Sequence, residues 1–339
     1  MRCPDFIGDE RGIALFIVLW VLVLLSVIAG EFSHAMRTAV NITRNFTEET
    51  RAYYIARAGA NVAVRNLIRQ ETRPTRRVSV ETADSSGINQ DWRVNTDIPP
   101  VPFGGGSFQV RIENESGKVD INGADALLLR IMLNPFDLTD TEKDVIVDSI
   151  LDWRDTDSFH HTYGAEDDYY LALAEPYEAR DAPFLSIGEL LLVRGITPDI
   201  FYSGLEKIVT VRSGEGGGGR NQVFGGGGKR GNIQNRININ AASPKLLNAL
   251  PGIGPEQIQE IRTFRAEKDI ESPSELQFLL GMDISAAISP YVMFKNTAYF
   301  TVEARGMVSD SPVRSSLQVV VEIDPRRERK YRTVQWFEG

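Results

Sequence analysis

Residues Gly12–Gly30 read GIALFIVLWVLVLLSVIAG and contain no ionisable side chain. A helix of about 20 apolar residues matches the roughly 30 Å hydrocarbon core of a bilayer. Inside lipid every backbone N–H and C=O must be paired, and a helix does this within one segment. The run therefore addresses the N-terminal end of the chain to a membrane. Three arrangements compete for it: a cleaved secretory signal, a permanent anchor, and a cut ahead of the run between Gly12 and Ile13. Val27 and Ala29 imitate a signal cleavage site, but the run is long for a signal. The head also sets Arg2 and Arg11 against Asp5, Asp9 and Glu10.

The residues behind the run separate these arrangements. Polarity changes at Glu31, yet Ile42, Phe46, Tyr53, Ala56, Ala60, Val64 and Leu67 recur mostly at steps of three or four, one face of a helix. No proline occurs between Asp5 and Pro74, so nothing forces a break. The pattern predicts a single helix from Ile13 to Arg69, its first third in lipid and its last third packed on a folded domain. A signal peptide does not usually continue into such a helix, which favours the cut before Ile13.

Asp91–Thr96 and Ser107–Asn114 alternate apolar and polar residues as half-buried strands do, with Gly104-Gly105-Gly106 turning into the second. Tyr299–Val308 and Arg314–Ile323 read as a strand pair around Ser309-Asp310-Ser311-Pro312. The stretch between these groups, 119–295, reads as largely helical. The expected fold is α+β: a long N-terminal helix packed on a small antiparallel sheet, with a large α-helical domain inserted. The boundaries expected are a leader at 1–12, a membrane segment at 13–30 and the helix with the first strands at 31–118. The insert occupies 119–295, the returning strands 296–325 and a tail 326–339.

Thirty-seven basic against 46 acidic residues give a net charge of −9, which argues against a general nucleic-acid binder. Cys3 is the only cysteine, so no internal disulfide can form and the core or a bound metal must supply stability.

The helical stretch contains a weak repeat. Ser186, Ser243 and Ser272 are each followed by Leu four residues on (Leu190, Leu247, Leu276) and by Gly nine residues on (Gly195, Gly252, Gly281). A Ser N-cap and a Gly just past the helix end explain the spacing. Glu189 and Glu275 stand where a capping box would close, and Pro244 and Pro273 at the first helical position. The second unit, LPGIGPEQIQEIRTFR, resembles a helix-hairpin-helix element. In that family such a turn offers backbone N–H groups to a DNA phosphate, here at Gly252 and Gly254, with Arg262 and Arg265 nearby. Glu256, Glu260 and Glu267 on the same helix oppose that use, and packing is the alternative role.

The densest polar constellation is Asp148–Tyr170, where Asp152, Asp155, Asp157, Glu166, Asp167 and Asp168 crowd one short stretch. So many like charges repel unless a cation bridges them, and hard oxygen ligands suit Ca²⁺. An EF-hand is excluded by the missing Gly and closing Glu. Trp153, Tyr163, Tyr169 and Tyr170 interleave with the acids and suggest an ordered loop rather than a solvated charge run. His160 and His161 lack the Cys or HExxH partners of a zinc site. No G-x-S-x-G elbow occurs. The Gly-rich tract at 214–231 has Arg230 after Gly228-Lys229, which fails the phosphate-loop pattern and reads as a flexible loop.

Several motifs occur in one order: Arg11-Gly12 before the apolar helix, AYYIARAGA at Ala52–Ala60, GAEDDYYL at Gly164–Leu171, and RININAASPKLLNALPGIG at Arg236–Gly254. In that order they resemble the K-type minor pseudopilins of type II secretion, the general secretion pathway protein K family. The resemblance implies a non-enzymatic subunit that a prepilin peptidase cuts after Gly12 and methylates at Ile13. It implies residence in the inner membrane of a Gram-negative bacterium, single-pass with the C-terminal domain in the periplasm, and later a place at the pseudopilus tip. Implied partners are the I, J and H types of minor pseudopilin, with exported substrates as further contacts and no nucleic acid. Calcium in the helical insert is also implied, which favours the acidic cluster as ligands. Most pseudopilins carry Glu at the fifth position after the cut. Here that residue is Ile17, as in the K type. Two rival readings are a membrane-anchored helix-hairpin-helix protein that binds DNA, and a metal-dependent periplasmic enzyme. The second needs a general base that the sequence does not name.

Overall fold

The fold was obtained as a computed structural model that describes residues 10–72, 92–96, 98–211 and 236–338. Helix α1 spans Glu10–Thr72, 63 residues without a break. At about 1.5 Å per residue it is roughly 95 Å long. Gly12 and Ile13 fall within its first turn, whereas residues 1–9 and the Gly-rich tract at 214–231 lie outside the described residues.

Only the C-terminal part of α1 is covered by its own chain. Ala52, Ile55, Ala56, Ala60, Ala63, Val64 and Leu67 are buried, while Ile42 and Phe46 of the expected face stand exposed. The small residues let the helix backbone approach the sheet. A Cβ on Gly306 would sit 1.9 Å from the Ala52 carbonyl oxygen and 2.6 Å from the Ala56 nitrogen, and one on Gly59 would sit 2.9 Å from the Phe108 ring. The alanines and glycine of AYYIARAGA are therefore a docking strip.

Strands β1 (Val101–Phe103) and β2 (Gly106–Asn114) join through Gly104 and Gly105, whose φ values of 60° and 78° suit a two-residue hairpin turn. The insert then carries β3 (Val119–Asp120), α2 (Ala126–Met132), α3 (Asp140–Arg154), α4 (Asp167–Tyr170), a 3-10 segment (Ile187–Leu192) and α5 (Pro198–Ile200). It continues through α6 (Glu206–Ile208), β4 (Val209–Thr210), β5 (Ile237–Asn238), α7 (Pro244–Leu247), α8 (Pro255–Glu267), α9 (Pro273–Leu280), α10 (Met282–Ile288) and β6 (Val292–Met293). Strands β7 (Tyr299–Val308), β8 (Arg314–Ile323) and β9 (Tyr331–Glu338) complete an antiparallel sheet of order β1-β2-β7-β8-β9.

Two separate apolar clusters result. One lies between α1 and the sheet, around Phe108, Ile112, Val302 and Val319. The other fills the insert from Val119 to Val292. Asn114 pins both ends of the insert. Its Nδ2 donates to the carbonyls of Thr297 and Tyr299, and its Oδ1 accepts from the Ser116 and Thr297 amides. Buried Glu115 accepts from Thr210, Thr301 and Lys118, tying sheet and insert together. Gly106 lies against Ile55 and Gly59 against Phe108, so β2 runs with α1 and the insert leaves the sheet at the end away from the apolar run.

Two expectations need correction. The stretch 326–339 is not a tail: it contains β9, paired with β8 from Leu317↔Glu338 to Ile323↔Tyr331. A register shift at Val320/Val321 leaves Val334 unpaired, and this bulge breaks the period-two pattern that would reveal the strand. Asp91–Thr96 is not a strand in its described part, 92–96, whereas Asp91 lies outside the described residues. Asn95 takes φ 62°, which ends any extended run. It still serves the sheet edge, donating its amide to the Ile112 carbonyl at 2.7 Å and accepting from the Asn114 amide at 2.9 Å.

Candidate functional site

Helix α3 begins with a capping box between Thr139 and Glu142 and ends at Asp155. Its acids Asp148, Asp152 and Asp155 stand at i, i+4 and i+7 and so share one face. The loop after α3 folds back over this face. The Tyr163 amide donates to Asp148 Oδ2 at 3.0 Å, and the His161 amide to Asp152 Oδ1 at 3.1 Å. His161 Nδ1 pairs with the same Asp152 oxygen. Asp152 is fully buried, and a Cβ on Gly164 would lie 1.8 Å from its Oδ2, so any side chain there has to displace Asp152. Trp153 meets Tyr170 edge-on at 5.2 Å and stacks on Phe184, a buried wall behind the loop.

Of the six carboxylates expected as ligands, Asp155, Asp157 and Glu166 bring one oxygen each within 4.8 Å of one another. Asp152 and Asp155 form a second such group with His161. Asp167 and Asp168 lie outside both groups. Asp167 Oδ1 accepts from the Ala179 amide at 2.7 Å; Asp168 Oδ1 accepts from the Tyr169 amide and stands 3.1 Å from His160 Nε2. Asp148 was not among the expected ligands, although its helical spacing from Asp152 and Asp155 was a usable signal; His161 was weighed only for zinc, and Gly164 stood only as the start of the GAEDDYYL motif.

The trio is electrostatically unbalanced. Burial, reinforced by Asp152 and Asp155, pushes the Glu166 carboxyl up to about 7. Burial also raises Asp155, while the hydrogen bond to Asp152 raises His161. Arg154, next in sequence to Asp155, turns away and donates to the carbonyls of Ile121 and Ala124. Asp155 Oδ1 and Glu166 Oε1 are buried without a hydrogen-bond partner among the described residues. Two orphan carboxylate oxygens facing a third acid suit a hard divalent cation taking oxygen ligands.

The three Ser-to-Gly units are turns of one kind. Ser186, Ser243 and Ser272 each accept a backbone amide at a helix start, and Gly195, Gly252 and Gly281 take φ of 87°, 76° and 81°. Glu189 closes a capping box on Ser186, whereas Glu275 accepts from the Glu271 amide instead. At the second unit the Gly254 amide donates to Gln257 Oε1 at 3.1 Å, and a Cβ on Gly252 would meet Ile284 at 3.5 Å. Arg265 donates to the Ala242 carbonyl at 2.9 Å, and burial lowers its guanidinium to about 10. The Gly254 amide and Arg265, two of the groups a DNA phosphate would use, are thus engaged inside the fold.

Residues 112–214 match the family model described as type II secretion system (T2SS), protein K. Over that span the chain is similar to the type II secretion system protein K family. The protein K of Aeromonas hydrophila is 27% identical over 209 residues, 57% of this chain and 61% of that relative. The protein K of Pseudomonas aeruginosa is 24% identical over 279 residues, covering 78% and 75% respectively. The match with the Aeromonas protein thus spans about three-fifths of that relative's length. Among solved structures, a chain of the GspK-GspI-GspJ complex from enterotoxigenic Escherichia coli aligns with a TM-score of 0.48 and 16% identity. That alignment covers 90% of this chain and 99% of the other. The family model's span contains every acid of the candidate centre.

Proposed function

We propose that this chain is the K-type minor pseudopilin that caps the type II secretion pseudopilus, in complex with the I, J and H types. A prepilin peptidase cuts it after Gly12 and methylates Ile13. Before assembly the apolar segment holds it in the inner membrane with the folded part in the periplasm. No catalytic role belongs to this reading.

One observation carries it: α1 is built into its own sheet from Ala52 onward, yet Leu15–Ile28, Phe32, Met36, Val40, Ile42 and Phe46 remain exposed along the same continuous helix. One such helix, Ala14–Thr72, is long and apolar enough to cross a membrane. The apolar surface continues past the membrane-length run, which suits later burial among helices of other subunits. Ile17 supports a terminal place. A carboxylate there would cost roughly 2.5–3.5 kcal/mol in lipid and needs a neighbour's amine to offset it; Ile17 asks for no subunit above. The insert, at the end of the sheet away from the apolar run, supplies bulk there.

The acidic centre fits Ca²⁺ as a structural ion. Asp155, Asp157 and Glu166 are the ligands favoured by convergence, with Asp152 behind them. Bound calcium would screen the repulsion within the loop and fix its backbone.

Mass spectrometry of the protein recovered from its native host tests the reading. The expected N-terminus is methylated Ile13. An intact Met1, or a start near Gly30, would overturn it.

A further inference from the structure

A shallow, open groove of about 760 Å³ runs along α8, lined by Pro255, Glu256, Glu260, Phe264 and Glu267 with Leu279 of α9 at its side. Its walls are apolar at Phe264 and Leu279, and three carboxylates rim it. At 100° per residue Glu256, Glu260 and Glu267 fall on one face of α8, whereas Arg262 points to another and half-buried Arg265 is bonded to the Ala242 carbonyl. None of the three glutamates makes an ion pair or hydrogen bond among the described residues. The fold gains little from them. Glu256 and Glu260 are a like-charge pair at i, i+4, which destabilises a helix. Glu267 ends α8, where a negative charge opposes the helix dipole. Beside the groove, Phe278 is 89% exposed and Met282, just past α9, is 69% exposed. An exposed aromatic and a methionine next to an acid-rimmed apolar groove suit a helix that inserts apolar residues and presents cations to the rim.

We propose that the α8–α9 groove docks a basic amphipathic helix of a partner protein. Apolar side chains of that helix at i, i+3 and i+4 would rest on Phe264 and Leu279, and its lysines or arginines would meet Glu256, Glu260 and Glu267. This surface lies on the insert and is independent of the pilin-like helix, so the proposal neither needs nor tests the assembly role above.

The test uses the full chain in a neutral detergent and an 18-residue fluorescent peptide of leucine and lysine in amphipathic order. A peptide of the same pattern with glutamate for lysine is the control. Fluorescence anisotropy should show binding of the lysine peptide only. The variant Glu256→Gln/Glu260→Gln/Glu267→Gln should weaken it at least tenfold. The variant Glu175→Gln/Glu178→Gln/Asp199→Asn removes equal charge from exposed sites elsewhere and should change it less than twofold. Absence of binding, equal weakening by both triple variants, or equal binding of both peptides would overturn the proposal.

Discussion

A Cβ on Gly306 would lie 1.9 Å from the Ala52 carbonyl oxygen, and one on Gly164 would lie 1.8 Å from Asp152 Oδ2. The first glycine sits where α1 crosses the sheet, the second where the acidic loop folds over α3. What each approaches differs in kind. Ala52 O and Ala56 N belong to a helix backbone fixed by its own hydrogen bonds, and the strand opposite is paired on both sides. Asp152 Oδ2 is the end of a side chain, held by His161 but able in principle to turn. One half of the molecule is thus assembled by close backbone packing. The other half has its own apolar cluster, and beside it three carboxylates converge.

The largest effect should come from Gly306→Ala. The methyl group cannot be accommodated unless α1 lifts from β7, and overpacking of this kind costs about 3 kcal/mol. At about 2–4 °C per kcal/mol for a chain of this size, the melting temperature should fall by roughly 10 °C. Calorimetry checks this, and a loss below 1 kcal/mol would mean that the helix–sheet seam is looser than the geometry allows. Gly164→Ala should lower the metal-free melting temperature less than this. It should nevertheless abolish the stabilisation by calcium, because displacing Asp152 disturbs the loop that places Asp157 and Glu166. If Gly306→Ala removes the calcium effect as well, the two halves are not energetically separable.

The calcium effect itself should depend on pH. With its folded-state value raised to about 7 from an ordinary 4.5, Glu166 favours the fold while protonated. That contribution is fully present below about 4.5 and is lost as pH rises through 7. A cation needs the carboxylate form, so the gain from calcium should be greatest above pH 7 and shrink steadily toward pH 5. At a calcium concentration 100-fold above its dissociation constant, the gain is about 2.7 kcal/mol. Thermal melts at pH 5, 6, 7 and 8, with millimolar calcium and with chelator, read the difference directly. A gain unchanged between pH 5 and 8 would remove Glu166 from the ligand set.

Both halves could be read in the sequence to the extent that local rules govern them. The long helix was legible because no proline interrupts it and the apolar positions keep step. Tyr299–Val308 and Arg314–Ile323 were legible because apolar runs flank the turn residues Ser309-Asp310-Ser311-Pro312. Ser186, Ser243 and Ser272 were legible because capping is decided by the nearest three residues. β9 escaped because its bulge at Val334 shifts the residues paired with Ile323, Val321, Val319 and Leu317 from Tyr331 and Thr333 to Trp336 and Glu338, and no single period describes that. The three-residue β1 is too short to show alternation. At the acidic centre the residue types were legible but their convergence was not. Whether Glu166 or Asp168 turns inward depends on where α4 starts, and a tertiary turn around Gly164 sets that. The docking strip around Gly306 was also hidden, because a glycine in a strand does not announce which helix lies over it.

The smallest expected effect examines how far the insert behaves as one unit. Ser243 caps α7 by accepting the Leu246 amide at 3.3 Å, with Pro244 at the first helical position. Ser243→Ala leaves that amide without its partner and should cost about 1 kcal/mol, a shift of a few degrees. Leu246 and Leu247 are fully buried in the cluster that also contains Trp153 and Tyr170, so a frayed α7 loosens packing next to the acidic loop. Yet Asp155, Asp157 and Glu166 make no hydrogen bond to α7 among the described residues, and capping is a local interaction. The melting temperature should therefore drop with the calcium-induced rise left unchanged. If that rise shrinks in proportion, the acidic centre and the Ser-to-Gly turns melt as a single cooperative unit, and the calcium site holds the whole insert rather than one loop.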